Sequence, residues 1–175
     1  MPPFEELAQS APAGEPPESL PGNGRFGTRQ VRFPTQQVRF PVRAITTAQR
    51  SGTELRFRVT ADVLFDFDRA EIRPQAEGLL RDVARQIRGQ SRQPAIRIEG
   101  HADGLGSDAY NDALSLRRAE SVRAFFAGSA GLPARAMQVQ GLGKRNPVAP
   151  NTRPDGSDNP EGRQLNRRVE IVARL

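Results

Sequence analysis

Apolar and polar residues alternate in four stretches of the chain, and this two-residue period is typical of β-strands. The first stretch begins at residue 54 as Glu-Leu-Arg-Phe-Arg-Val-Thr and continues towards residues 63–68, with Leu55, Phe57 and Val59 on one face. Three shorter stretches follow at residues 95–99, 137–140 and 169–173. The pattern therefore predicts four strands.

Apolar residues recur at helical spacing in two longer stretches. The first predicted helix has Pro74 in its first turn, where a missing N–H is harmless, and ends at Gly89. The second runs from residue 108 to about residue 127, with Ser107 or Asp108 as its cap. A helical turn at residues 161–166 precedes the last strand. Strands that alternate with helices predict an α/β, or α+β, two-layer sandwich.

The first 53 residues differ in character from the rest. Residues 1–24 are rich in Pro, Gly, Ala and Glu, which predicts a disordered acidic leader. The repeated motif QVRFP at residues 30–34 and 37–41 has the pattern of a short strand closed by proline, and it could be an edge strand, a hairpin or a partner-binding segment. Residues 46–52 predict a polar linker. The predicted divisions are residues 1–24, a basic segment with linker at 25–53 and a domain at 54–175.

Charge is unevenly distributed along the chain, whose formal net charge is +6. Residues 1–24 carry −4, whereas residues 25–58 carry eight arginines against Glu54, or +7. Such a segment could attract a polyanion such as nucleic acid, anionic lipid or wall phosphate. Lys144 is the only lysine, so an arginine-rich flank from a GC-rich genome is the simpler interpretation. Without tryptophan or a recognised motif, nucleic acid is not the expected partner.

Composition excludes several kinds of site. The chain has no cysteine and a single histidine, His101, so zinc, haem and thiolate sites are not expected and no cofactor is predicted. No apolar run reaches the ~18–20 residues of a membrane-spanning helix. The N-terminal stretch has neither the basic start nor the apolar core of a secretory signal peptide, so we expect any targeting signal to lie outside this sequence.

The stretch from Gly100 to Arg118 holds the candidate site. Asp103 lies in a glycine-rich turn just past the carboxyl end of a predicted strand, where open α/β sheets place ligands. Arg118 lies four residues after Leu114 and four before Val122, so it points along the inward face of the predicted helix. From these residues alone, Asp103 and Arg118 form either a partly buried structural ion pair or parts of a binding site.

Six short motifs, in order along residues 55–175, resemble the OmpA-like peptidoglycan-binding domain. They are VLFDFD (63–68), IRP (72–74), GHAD (100–103), LSLRRA (114–119), GLG (141–143) and NRRVEI (166–171). The resemblance implies two main helices on one face of a mixed four-stranded sheet, in the order β-α-β-α-β-(short α)-β. It also implies a periplasmic, cell-envelope location, associated with the outer membrane or with a wall-spanning assembly.

The resemblance further implies a ligand, the diaminopimelate side chain of the peptidoglycan stem peptide. The free end of this side chain is a zwitterion, with an ammonium and a carboxylate on one carbon. Asp103 is expected to bind the ammonium, and Arg118 to bind the carboxylate in a bidentate manner that lysine cannot reproduce. The expected function is non-covalent anchoring of a cell-envelope protein or assembly to the cell wall.

Four further residues are expected near this ligand. Asn111 is expected either to hydrogen-bond the ligand or to supply helix-cap or turn polarity. Arg167 is expected to face the ligand, to be a surface charge or to brace Asp68. Asp66 and Asp68 are each expected either to lie at the mouth of the same site or to cap the first helix. For Asp68 we favour the capping role. Ala102 stands where the family often has threonine, which removes one hydroxyl donor.

Two other functions remain as alternatives at this point. An enzyme would have to use His101 with Asp103, but residues two apart need not face each other, and the sequence offers no nucleophile with a positioned base. We therefore predict no catalysis and a packed or hydrogen-bonded structural role for His101. The other alternative is an assembly adaptor whose residues 25–53 dock a protein partner of the envelope or a polyanion.

Overall fold

This computed structural model describes residues 47–175 of the chain, and these residues form one mixed β-sheet with helices. Five strands form the sheet within those residues: β1 (Thr47–Ser51), β2 (Glu54–Thr60), β3 (Ala95–His101), β4 (Met137–Gly141) and β5 (Arg168–Arg174). Their order across the sheet is β1-β2-β5-β3-β4. The neighbours are antiparallel except for β3 and β4, which are parallel. The predicted leader and the QVRFP repeat lie outside the described residues.

β1 corrects the predicted strand count from four to five. Its residues fall in the stretch that we interpreted as a polar linker, and they pair with β2 along their whole length. β1 is an outer strand of the sheet that residues 47–175 form, and its side chains from Ala48 to Ser51 are exposed. A strand with no buried face carries no apolar alternation, so the hydrophobic pattern could not reveal it.

The helices agree closely with the predicted ones. A 3₁₀ helix at Pro74–Ala76 leads into α2 (Glu77–Gln90), and α3 spans Asp108–Gly128. Ser107 caps α3, since its hydroxyl accepts a hydrogen bond of 3.3 Å from the amide of Tyr110. A second 3₁₀ helix occupies Ala134–Ala136, and α4 (Pro160–Asn166) precedes β5. Within the described part of the chain, no helix combines the length and the apolar character needed to cross a bilayer.

Both long helices pack on one face of the sheet, as predicted. Alternate residues of the three central strands, such as Phe57, Ile98 and Ile171, are almost fully buried. They belong to the same core cluster as Leu80 of α2 and Val122 of α3. This two-layer α+β arrangement leaves the opposite face of the sheet to polar residues.

A short helix corrects the predicted course of the first long strand. β2 ends at Thr60 and is followed directly by α1 (Ala61–Leu64), so the strand does not continue towards residues 63–68. Leu64 is completely buried and Phe65 is 2% exposed, and both join the core. The apolar run therefore came from burial inside a helical turn rather than from a strand. The chain beyond α1 is thereby turned into a loop that lines the candidate site.

A network of charged residues covers the other face of the sheet. Glu170 is only 3% exposed and accepts hydrogen bonds from Arg168 at 2.7 Å, Arg56 at 2.8 Å and Arg58 at 3.2 Å. Burial alone would raise the pKa of Glu170, but the bonds from Arg168 and Arg56 prevail and lower it to about 2. Ion pairs thus join β2 to β5 on one face of the sheet, and apolar packing stabilises the other face.

Candidate ligand-binding site

A cleft of about 720 Å³ lies where three segments of the chain meet. These are the segment 62–73 around the end of α1, the turn from β3 into α3, and the end of α4 with the start of β5. Its charged lining residues have both signs: Asp62, Asp66, Asp68, Asp103, Arg73, Arg163 and Arg167. A cleft with fixed charges of both signs is suited to a small zwitterionic group.

A second, smaller cavity of about 370 Å³ offers a different chemistry. Its charged lining residues are all arginines, Arg97, Arg135 and Arg174. Because none of the described residues that line it is acidic, it has no group that could hold an ammonium. The larger cleft is therefore the better candidate for the expected ligand.

Asp103 is held firmly in the turn between β3 and α3. It is 9% exposed, and its Oδ1 accepts a hydrogen bond of 3.0 Å from the amide of Leu105. Its Oδ2 accepts one of 2.8 Å from Nη1 of Arg167, and Nη1 of Arg163 lies 3.6 Å away. Gly106 has a φ of 81°, which favours glycine in this turn. The carboxylate predicted to bind the ligand is thus oriented by two cations of the protein.

Arg167 bridges two aspartates across the cleft. Its Nε and Nη2 donate hydrogen bonds of 3.2 and 2.9 Å to the carboxylate of Asp62, and its Nη1 donates the bond to Asp103. The bonds to Asp62 raise the pKa of Arg167 above its usual value against the effect of burial, and Asp103 adds to the rise. One of the predicted roles of Arg167 was to hold Asp68 in place. Arg167 instead holds Asp62 and Asp103.

Arg118 lies on the inward face of α3, as the helical register predicted, and is 6% exposed. Its Nε donates a hydrogen bond of 2.9 Å to the carbonyl of Arg69, and its guanidinium lies 5.3 Å from the ring centroid of Phe65. No ion pair within residues 47–175 joins it to Asp103, so the interpretation as a structural ion pair was wrong. Arg118 is not among the residues that line the cleft, but it packs against Phe65, which does line it.

Arg118 keeps part of its hydrogen-bonding capacity. Burial lowers the pKa of its guanidinium below the usual value, while the carboxylates of Asp62 and Asp68 oppose that shift. An arginine side chain nevertheless stays protonated at physiological pH. Within residues 47–175, only its Nε has a hydrogen-bond acceptor, which leaves Nη1 and Nη2 as spare donors.

Asn111 and Ala102 have mainly structural contacts. Asn111 is 4% exposed and lines the cleft, and its Nδ2 donates a hydrogen bond of 2.6 Å to the carbonyl of Leu105. This hydrogen bond stabilises the turn, which is one of the two roles that the sequence predicted for Asn111. Ala102 is buried and donates its amide to the carbonyl of Gly143 at 2.8 Å, and its side chain is not among those that line the cleft.

Asp66 and Asp68 both line the cleft. Asp66 is exposed and its Oδ1 lies 3.5 Å from Nε of Arg73. Asp68 has a φ of 59°, which is uncommon for a residue other than glycine. Neither the 3₁₀ helix nor α2 has a side-chain cap, so the prediction that Asp68 caps the first helix was wrong.

Several cleft residues were missed by the sequence analysis. Phe67 is 97% exposed, and it lines the cleft together with the exposed Leu105 and Tyr110. Phe67 lies between two aspartates in the motif FDFD, which is a signal for an exposed aromatic that we did not use. Asp62 had no recognisable local pattern, because its partner Arg167 lies 105 residues away. Arg163 hydrogen-bonds the nearby Asp158, and its approach to Asp103 at 3.6 Å could not be read from the sequence.

His101 lies close to Asp103 in sequence but is packed as a structural residue. It is 2% exposed, and neither ring nitrogen has a hydrogen-bond partner within the described part of the chain. Burial lowers the pKa of His101 to about 4, and the nearby charge of Arg168 acts in the same direction. The imidazole is therefore neutral at pH 7. Among residues 47–175 there is also no group of three acidic or histidine side chains that could hold a metal ion.

A family model described as the OmpA family matches residues 64–160. The chain belongs to the OmpA family. It is 47% identical over 111 residues to a protein of Gloeobacter violaceus named photosystem I P700 chlorophyll a apoprotein A2, a match that covers 63% of this chain but 12% of that protein. It is 40% identical over 134 residues to the outer-membrane lipoprotein YfiB of Pseudomonas aeruginosa, covering 73% of this chain and 74% of YfiB.

Solved structures give the same result for the fold of this OmpA family member. The cell wall anchor of the T6SS from Pseudomonas aeruginosa is 26% identical, with a TM-score of 0.64 over 74% of this chain and 87% of that one. The peptidoglycan-associated lipoprotein from Burkholderia pseudomallei is 33% identical, with a TM-score of 0.50 over 63% of this chain and 87% of that one. The predicted family and the mixed α+β fold are confirmed.

Proposed function

We propose that this OmpA family domain binds peptidoglycan without catalysis and anchors a cell-envelope protein or assembly to the wall. Two observations from related proteins support the general role. One structural relative is described as a cell wall anchor and another as a peptidoglycan-associated lipoprotein. YfiB, the relative matched over most of its length, is an outer-membrane lipoprotein. These likenesses favour a location in the cell envelope on the periplasmic side.

The ligand that we propose is the zwitterionic end of diaminopimelate. The observation that carries this proposal is the combination of a fixed, largely buried carboxylate at Asp103 with a buried guanidinium at Arg118 that has spare donors. The ammonium would bind Asp103, whose oxygens can each accept a further hydrogen bond. The carboxylate would bind Nη1 and Nη2 of Arg118.

The apolar part of the cleft supports the same ligand class. Between its zwitterionic end and the peptide, diaminopimelate has a chain of methylene groups. Phe67, Leu105 and Tyr110 expose apolar surface at the cleft and provide contacts for such a chain. A lysine side chain has similar methylene groups and an ammonium but no carboxylate, so it would leave Arg118 without its anionic partner.

Titration calorimetry with two stem peptides tests the proposal directly. We expect a diaminopimelate peptide to bind, and a lysine peptide of otherwise identical sequence to bind at least about ten-fold more weakly, because it lacks the hydrogen bonds to Arg118. Cosedimentation with purified, protein-free cell walls tests anchoring under the same conditions. Equal affinity for the two peptides would contradict the assigned ligand, and failure to sediment with walls would contradict the anchoring role.

A further inference from the structure

We propose that Asn151 is a positioning residue for the ligand-binding site, because its side chain fixes the turn that carries Asp103. Asn151 belongs to the long segment between β4 and α4 and does not line the cleft. The inference concerns the orientation of Asp103, and its consequence for affinity rests on the proposed function.

The contact between Asn151 and the turn is direct. Oδ1 of Asn151 accepts a hydrogen bond of 3.0 Å from the amide of Gly104, the residue that follows Asp103. The two residues are so close that a Cβ on Gly104 would lie 2.9 Å from Cγ of Asn151. The peptide unit that joins Asp103 to Gly104 is therefore held on its N–H side by a side chain from a distant loop.

Asn151 is itself held by a completely buried amide, that of Asn166 at the end of α4. Nδ2 of Asn166 donates to Oδ1 of Asn151 at 2.9 Å and to the carbonyl of Ala149 at 2.8 Å. Oδ1 of Asn166 accepts from the amides of Val148 at 2.8 Å and Ala149 at 3.0 Å. All four hydrogen-bonding positions of this amide are used, so it attaches the loop rigidly to α4.

The start of α4 holds the loop from the other side. Asn159 caps the helix through its Oδ1, which accepts from the amide of Gly162 at 3.1 Å. Its Nδ2 donates to the carbonyl of Pro150 at 2.9 Å, and its own amide donates to the carbonyl of Asn151 at 3.1 Å. Asn151 is thus fixed at both its backbone and its side chain before it reaches Gly104.

α4 and the residue after it therefore act on Asp103 by two separate routes. Arg167 pairs with the carboxylate itself, while the series Asn166, Asn151 and Gly104 fixes the backbone of the turn. Charge pairing orients the carboxylate only if the backbone that bears it is fixed, and binding energy falls when a polar group must be ordered on binding. Loss of Asn151 should therefore weaken ligand binding although no ligand contact is removed.

Two substitutions at residue 151 separate this role from general stability. Asn151→Leu keeps the size of the side chain but leaves Gly104 and Asn166 without their acceptor. Asn151→Asp keeps an acceptor oxygen for both donors, since only Oδ1 of Asn151 is used in these bonds. Asn146→Leu is the matched control, because Asn146 is exposed on the same segment and its side chain makes no hydrogen bond within residues 47–175.

The measurements are amide hydrogen exchange by NMR, affinity for the diaminopimelate stem peptide, and the midpoint of thermal unfolding, all on the full chain. For Asn151→Leu we expect Gly104 to exchange at least about ten-fold faster and affinity to fall about ten-fold, the equivalent of one hydrogen bond. Asn151→Asp should restore slow exchange and bring affinity to within about three-fold of the wild type. Asn146→Leu should match the wild type in both.

Unchanged exchange at Gly104 in Asn151→Leu would overturn the proposal, and so would faster exchange with unaltered affinity. A loss of affinity that Asn151→Asp does not restore, accompanied by a large fall in the unfolding midpoint, would reduce Asn151 to a residue needed for stability. If the wild type binds no stem peptide, the proposed function fails together with the affinity part of this inference. The exchange rates at Gly104 would then still decide whether Asn151 orders the turn.

Discussion

Arg167 donates a hydrogen bond of 2.8 Å to Oδ2 of Asp103, so the carboxylate assigned to an ammonium ligand is already paired with a cation of the protein. This pairing orients the carboxylate of Asp103. An incoming ammonium therefore shares the carboxylate with Arg167 instead of displacing water from an isolated charge. The affinity of the site should depend on the charge of residue 103 more than on its size.

Asp103→Asn tests that dependence. The change removes the charge, keeps the shape, and leaves Arg167 with one anionic partner, Asp62. We expect affinity for the diaminopimelate stem peptide to fall about 10- to 100-fold, as for the loss of a hydrogen bond to a charged group. Titration calorimetry measures it, with Asp155→Asn on the exposed loop as the control. Equal affinity in the Asp103 variant would show that the ammonium binds elsewhere.

Arg118 and its neighbour Arg117 form a matched pair on α3, one buried and one exposed. Arg118→Lys keeps the charge but loses the planar fork that can bind a carboxylate through two bonds. We expect this change to reduce stem-peptide affinity by about ten-fold or more, and Arg117→Lys to have no measurable effect. The two variants are compared by calorimetry after circular dichroism has established that both are folded. A similar loss in both would assign the effect to α3 in general.

Glu170 should control stability on the polar face of the sheet. Its pKa is lowered from 4.5 to about 2, so its stabilising contribution is complete above pH 4.5 and is lost as pH falls towards 2. Glu170→Gln leaves the buried Arg168 without its carboxylate, which costs roughly 3–5 kcal/mol in comparable buried pairs. Denaturant unfolding at pH 7 measures the loss. Glu54→Gln, at a more exposed pair with Arg56, should cost less than about 1 kcal/mol.

His101 should weaken the fold in mild acid. Its pKa is lowered from 6.5 to about 4, so between these values the unfolded chain binds a proton that the folded chain does not. Stability should therefore fall from pH 6.5 to pH 4, by up to roughly 3 kcal/mol from this residue. His101→Phe keeps a buried ring and removes the titration, and no hydrogen bond is lost, because neither ring nitrogen makes one within residues 47–175.

Unfolding curves at pH 7 and pH 5 check the expectation. The wild type should lose stability between the two values, and His101→Phe should lose clearly less. An identical pH dependence in both proteins would mean that another group is responsible for the effect.

The sequence was sufficient to predict an element and its buried face where buried residues recur at a regular interval. Leu55, Phe57 and Val59 predicted β2 and its buried face, and the spacing of Leu114, Arg118 and Val122 predicted that Arg118 lies inside. The same approach failed for β1, whose exposed residues have no such interval. It also failed at α1, where a buried helical turn and a buried strand have the same apolar composition.

The partners of the site residues could not be predicted from local patterns. Asp62 and Arg167 form an ion pair although 105 residues separate them. Their contact depends on the pairing of β2 with β5, which brings Thr60 opposite Arg168. The sequence identified Asp103 and Arg167 as site residues, but that Arg167 binds Asp62 and Asp103 follows from the register of the strands.

The central place of β5 has a consequence for how the sheet is completed. β5 follows β1 to β4 in the chain, yet it lies between β2 and β3 and supplies the hydrogen bonds to both. Without β5, the β1–β2 hairpin and the β3–β4 pair are two separate halves of the sheet, each with an unpaired edge. The domain cannot fold progressively from its first strand. It must complete its sheet in one late step, when β5 enters between the two halves and brings Arg167 to Asp103.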